Sequence, residues 1–112
     1  MGKVKSLTDS DFDSTIGTAR NPVLIDFSAS WCGPCKALAP TIETVATDYA
    51  GKIDVYKVDI DEAESAASRY GIASVPTCVF LRDGKEVDRF LGALDLRSVK
   101  QRVDRVLASL AS

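Results

Sequence analysis

The chain has no histidine, only three cysteines and a single tryptophan in 112 residues. A four-cysteine or mixed cysteine–histidine zinc site is therefore short of ligands. A disulfide-stapled scaffold is excluded too, since such domains are dense in cysteine. No apolar run approaches the length of a membrane span. The stretch from Met1 to Ser10 lacks the apolar core of a secretory signal. Met1-Gly2-Lys3-Val4-Lys5-Ser6 fits the loose pattern for N-terminal myristoylation, which is too short to carry weight. Neither charge dominates: 14 basic and 16 acidic residues are interspersed, for a net charge of −2. Such a balance gives no reason to expect a nucleic acid as partner, and the densest basic stretch, Arg97 to Arg105, is interrupted by Asp104. Linkers, repeats and low-complexity segments are missing. What remains is a chain of one domain's length, residues 1–112, that is 46% apolar and 27% charged. It can bury roughly two-thirds of its unfolded surface, enough for a core. The expected setting is a reducing cytoplasm, where few cysteines point to catalysis rather than stapling.

Two of the three cysteines fall in Trp31-Cys32-Gly33-Pro34-Cys35. A C-x-x-C pair suits a metal or a reversible disulfide. With Cys78 as the one further thiol, redox chemistry is the stronger reading. The pair follows an apolar run, Val23 to Phe27, that reads as a strand, and it opens a segment, Lys36 to Tyr49, that reads as a helix. The first turn of a helix offers unpaired N–H groups and the positive end of the macrodipole. A thiolate at Cys32 gains from both, so its pKa is expected to fall. Cys35 lies one turn further in, is expected to be less exposed, and is the candidate for the second attack. Gly33 lets a substrate approach closely, and Pro34 stiffens the turn where its missing N–H costs nothing. Trp31 beside the nucleophile offers an amphipathic ring to a substrate, with packing as the competing account.

The rest of the chain reads as alternating elements. Thr8 caps a short helix with Phe12 and Ile16 on one face. Val23 to Ala29 has almost no polar alternation and is expected to be a central strand, buried on both faces. Leu38, Ile42, Val45, Ala46 and Tyr49 mark the face of the next helix, which Pro40 is expected to kink. Ile53 to Val58 is a strand and Asp61 to Tyr70 a helix that stops at Gly71. Thr77 to Leu81 and Glu86 to Leu91 are strands joined through Asp83-Gly84, a strong hairpin signal. Leu96, Val99, Val103, Val106, Leu107 and Leu110 recur at helical spacing in the last helix. The fold class is α/β: a mixed sheet with helices on both faces.

Asp26 is the anomaly, an ionisable group inside a buried apolar strand. Burial is expected to raise its pKa, and a carboxyl near neutrality can exchange protons with a thiol. A structural carboxyl paired with a lysine is the competing account. Lys57, on the neighbouring strand, is its natural partner, unless it is a surface lysine at a strand end. Cys78 reads as a small buried hydrophobe, with a regulatory thiol as the alternative. Gly92 and Ala93 follow the last strand; they keep a surface flat for a partner or simply form a turn.

The chain resembles the thioredoxin family nearly end to end. The resemblance is carried by Trp31-Cys32-Gly33-Pro34-Cys35-Lys36, Asp26-Phe27, Ala39-Pro40, Lys57-Val58-Asp59, Tyr70-Gly71-Ile72, Val75-Pro76-Thr77 and Gly92-Ala93, in that family's order and spacing. It implies the thioredoxin fold, a five-stranded mixed sheet flanked by four helices, with a short first strand near Val4 to Leu7 at one edge. It also implies a general protein disulfide reductase that cycles between a Cys32/Cys35 dithiol and disulfide without a bound cofactor. Asp26 would lie beneath Cys35 and serve as its base through water, assisted by Lys57. Pro76 would have a cis peptide bond and pack against the disulfide, leaving the Val75 backbone free to pair with an extended substrate. The implied partners are disulfide-containing proteins and a flavin-dependent thioredoxin reductase, with ferredoxin-based systems as a variant; the protein would act as a monomer. A rival reading is a binding module that uses the surface near Trp31, Val75 and Gly92 without redox turnover. One departure concerns packing: Ser28 stands where many family members carry a second tryptophan.

Overall fold

A computed structural model describes residues 4–111. Met1 to Lys3, the start of the myristoylation pattern, lie outside the described residues, as does the side chain of Leu110. The described residues form, in order, β1 (Lys5–Leu7), α1 (Asp9–Gly17), β2 (Val23–Ser28), α2 (Gly33–Asp48), β3 (Asp54–Asp59), α3 (Glu64–Arg69), β4 (Thr77–Arg82), β5 (Lys85–Leu91) and α4 (Leu96–Ala111). The strands make one sheet in the order β1-β3-β2-β4-β5. β3 runs parallel to both β1 and β2, whereas β4 is antiparallel to β2 and β5. This is the five-stranded mixed sheet with four helices that the resemblance implied.

Every residue of β2 is buried, which is why the strand shows no polar alternation. One face of the sheet packs Leu24, Val55, Cys78 and Phe80 against Leu38, Ile42 and Val45 of α2 and Val99, Val103 and Val106 of α4. The other packs Ile25, Phe27, Val79 and Leu81 against Phe12 and Ile16 of α1 and Ala66 and Ala67 of α3. Asp26 points to the first face, in register with Lys57 of β3 and Cys78 of β4.

Local chemistry accounts for the element ends. The Asp11 carboxylate accepts the Thr8 N–H at 2.7 Å and secures the start of α1. α2 begins at Gly33, ahead of the expected Lys36, because Cys32 is itself the cap and Pro34 fits the first turn. It then runs uninterrupted through Pro40 to Asp48. α3 starts at Glu64, later than Asp61, because the Asp59 carboxylate accepts the Asp61 N–H at 2.8 Å and holds a turn there. The carboxylate of Asp9 reaches across from α1 to accept the Ser65 and Ala66 N–H groups at 3.1 and 3.0 Å. Asp83 and Gly84 both take positive φ, 55° and 78°, which is the turn a tight hairpin between β4 and β5 requires.

The core makes a direct prediction. Phe80 is fully buried between α2, α4 and the Phe90 ring, whereas Val87 on β5 is exposed. Phe80→Ala is expected to cost roughly 3–5 kcal/mol in urea unfolding, and Val87→Ala less than about 0.5 kcal/mol. Similar losses for the two would refute this placement of the core.

Candidate active site

The C-terminal end of β2 delivers the chain to the start of α2, and the two cysteines sit at that junction. Cys32 and Cys35 form a disulfide with Cα atoms 5.3 Å apart. Cys32 is the N-cap of α2, and its Sγ accepts the Cys35 backbone N–H at 3.1 Å. A sulfur at this point is thus served by a helix-terminal donor and by the positive end of the helix. Exposure does not separate the two cysteines: each is 4% exposed, under a small apolar cluster of Ala29, Ile60 and Val75. The expectation that Cys35 is the less exposed is therefore corrected. Packing closes over both sulfurs of the oxidised pair, and the asymmetry between them is one of hydrogen bonding.

Around the pair, Trp31 is 67% exposed, and its indole N–H donates to the Asp61 carboxylate at 2.8 Å. A Cβ added at Gly33 would meet nothing within 4 Å, so the space beside it is open. Pro34 is exposed on the first turn of α2. The Val75–Pro76 peptide bond is cis, with Val75 half-buried and Pro76 buried. The Gly92 N–H donates to the Pro76 carbonyl at 2.9 Å and ties the end of β5 to this loop. Gly92 has φ 84°, a conformation that favours glycine, and Ala93 beside it is exposed. The structure thus brings Trp31, Cys32, Gly33, Pro34, Val75, Pro76, Gly92 and Ala93 to one end of the sheet.

Asp26 is 2% exposed, and its pKa is pushed up to about 6. Burial is the main cause; the Lys57 charge and the Cys78 thiol pull the other way. Lys57 is half-buried and acts through its charge, with no ion pair to Asp26 among the described residues. The Cys78 thiol lies 3.9 Å from Asp26 Oδ1, and burial followed by the Asp26 charge pushes its own pKa well up. Cys78 is buried, as expected, but it is also a polar neighbour of Asp26. That contact was legible only once β4 was known to lie beside β2. The Trp31–Asp61 bond likewise joins segments that no local pattern connects. Behind Cys35, where Ser28 is small, a cavity of about 350 Å³ is lined by Ser28, Ala29, Ser30, Cys35, Lys36, Ala39, Lys57 and Asp59.

No cluster of three or more histidine, cysteine, aspartate or glutamate side chains that could hold a metal ion occurs among the described residues. Nor is any helix among them long and apolar enough to cross a membrane.

The family model for thioredoxin matches residues 3–105. The chain belongs to the thioredoxin family. It is 42% identical over 104 residues to a thioredoxin of Staphylococcus epidermidis and 40% identical over 104 residues to one of Staphylococcus aureus, covering 93% of this chain and 98% of the relative in each case. It is also 38% identical over 107 residues to the chloroplastic M-type thioredoxin of Pisum sativum, covering 96% of this chain and 62% of that protein. With the Cys32–Cys35 disulfide in place, this membership identifies a thiol–disulfide oxidoreductase of the dithiol–disulfide reductase type, whose redox group is the cysteine pair itself.

The raised pKa of Asp26 has a definite sign in stability. Between the ordinary carboxyl value of 3.8 and about 6, the native state holds a proton that the unfolded state has lost. Stability therefore falls as pH rises through that window, by about 3 kcal/mol in all. Asp26→Asn is expected to remove this loss and to be more stable than wild type at pH 7.5 by roughly 1–4 kcal/mol, with little difference at pH 4. Urea unfolding of both proteins across this range measures it, and a constant difference between them would contradict the assignment. Thiol counting tests Cys78: the reduced native protein should titrate two thiols rapidly and the third only on denaturation. Three fast thiols would show Cys78 to be exposed.

Proposed function

We propose that the chain is a general reductant of protein disulfides, acting as a single monomeric domain in the cytoplasm. Cys32 is the attacking sulfur. The thiolate forms at the helix N-cap, attacks a substrate disulfide and makes a mixed disulfide, releasing one substrate sulfur as thiolate. Cys35 then attacks the Cys32 sulfur of that mixed disulfide, releases the second substrate sulfur and closes the Cys32–Cys35 bond. The observation that carries the order of attack is the Cys35 N–H donated to Cys32 Sγ at 3.1 Å, because it favours negative charge on Cys32.

Asp26 is the proton acceptor for the Cys35 thiol, through water. Its pKa of about 6 lets it hold or release a proton near neutral pH. Lys57 keeps that value from rising further. The substrate lies across Trp31, Gly33, Pro34, Val75, Pro76, Gly92 and Ala93. The Val75 backbone pairs with an extended segment of that substrate. Regeneration falls to a thioredoxin reductase, which returns two electrons to the pair.

Two single-cysteine variants test the order of attack. Cys35→Ser is expected to trap a mixed disulfide with a protein substrate such as insulin through Cys32. Cys32→Ser is expected to trap less than about one-tenth as much with the same protein, since Cys35 lacks the N-cap position. Peptide mapping by mass spectrometry reads both. Equal trapping would overturn the assignment, and failure of the wild type to reduce insulin would favour a binding module without turnover.

A further inference from the structure

Cys78 is the one cysteine outside the redox pair, and the proposed cycle gives it no part. It is fully buried in β4, and the pairing of β4 with β2 sets it directly opposite Asp26. Opposed residues of an antiparallel pair share a face of the sheet. The thiol accordingly reaches Asp26 Oδ1 at 3.9 Å, as a hydrogen-bond donor. Titratable groups act on this carboxyl from both neighbouring strands, Lys57 of β3 by its charge and Cys78 of β4 by contact. The helices packed on this face, α2 and α4, bring Leu38, Ile42, Val45, Val99, Val103 and Val106 to the core that Cys78 shares. Cys35 of α2 is the thiol that the carboxyl is proposed to serve. Burial and the Asp26 charge push the pKa of Cys78 well up, so its sulfur keeps its proton. It is therefore a standing donor and not a second nucleophile.

We propose that Cys78 is a positioning residue for proton transfer: its S–H engages Oδ1 of Asp26, holds the carboxylate in place and favours its ionised form. The inference rests on the role of proton acceptor proposed above for Asp26. A hydrogen bond to the charged form of an acid favours that form. The type of donor matters. A hydrocarbon at this position would fill the core as well, but it would leave the carboxylate with the Lys57 charge alone, and Asp26 would stay protonated to higher pH. A hydroxyl would bond the carboxylate more strongly and make it a poorer base. The thiol lies between the two, since it tolerates an apolar core and can still donate. It lets Asp26 ionise enough to receive a proton from Cys35 while leaving it basic enough to do so. Cys78 itself gives up no proton and forms no bond to another sulfur during the cycle.

Three variants separate a donor from a space-filler. Cys78→Ala removes donor and volume, Cys78→Val removes the donor but fills the space, and Cys78→Ser keeps a donor. The Asp26 carboxyl is titrated in each by carbon-13 NMR. Its midpoint is expected to rise by at least about half a pH unit in both Cys78→Ala and Cys78→Val. In Cys78→Ser it is expected to match the wild type or fall below it. Packing alone predicts another pattern, with Cys78→Val like the wild type and the other two displaced together. The consequence for the reaction is read in single turnovers of the reduced protein with a fluorescent disulfide peptide. The ascending limb of rate against pH is expected to move up with the carboxyl in Cys78→Val, which slows reduction near pH 5.5 about threefold. Cys78→Ser restores it. In an Asp26→Asn background none of the three should move the profile. An unmoved midpoint in Cys78→Val, or a midpoint in Cys78→Ser displaced like that of Cys78→Ala, overturns the proposal. A midpoint that moves as expected while Asp26→Asn reduces the peptide at the wild-type rate would instead overturn Asp26 as the acceptor, with the Cys78 contact upheld.

Discussion

Burying β2 on both faces is the constraint on which the site depends. A strand whose six residues are all inside the protein has to lie in the middle of the sheet, with β3 on one side and β4 on the other. Asp26 is thereby removed from water, and its pKa rises for that reason before any other. The same strand ends beneath the first turn of α2, so the residues that follow leave the sheet exactly where a helix N-terminus faces outward. A redox pair at the carboxyl end of a central parallel strand is thus a consequence of packing. On an edge strand Asp26 would be hydrated, with an ordinary pKa, and would have nothing to exchange with a buried thiol.

Much of this was legible in the sequence because it depends on local patterns. The unbroken apolar run of β2, the Asp83-Gly84 hairpin and the helical spacing of Leu96 to Leu107 each follow from a short stretch of chain. The C-x-x-C pair declared its chemistry in the same way. What was not legible depends on neighbours distant in sequence. The order of the strands, and with it the approach of Cys78 to Asp26, required knowing which segments pair. The Trp31–Asp61 hydrogen bond joins residues 30 apart, and α3 starts late because the Asp59 side chain competes for the backbone. Ser28 was visible as a small residue, but the cavity it leaves depends on what α2 and β3 place around it.

Asp26 shows why position alone could not decide between a catalytic and a structural carboxyl. Desolvation favours the protonated form, whereas a close ion pair would favour the ionised one. The structure holds it between the two. Lys57 is near enough to act through its charge but does not close an ion pair, and Cys78 offers a thiol, a weak donor, rather than a hydroxyl or amide. A carboxyl with a pKa of about 6 results from these partial compensations. It costs stability at neutral pH that a hydrocarbon at the same place would not, which fits the proton-transfer role proposed for it.

The two sulfurs differ in the same spirit. They are equally buried, so a difference in reactivity has to come from how each carries charge. The N–H···S contact at the N-cap stabilises an anion on Cys32 in whichever half of the cycle it appears. In the proposed cycle, where Cys32 is the attacking sulfur, the contact raises the fraction of thiolate.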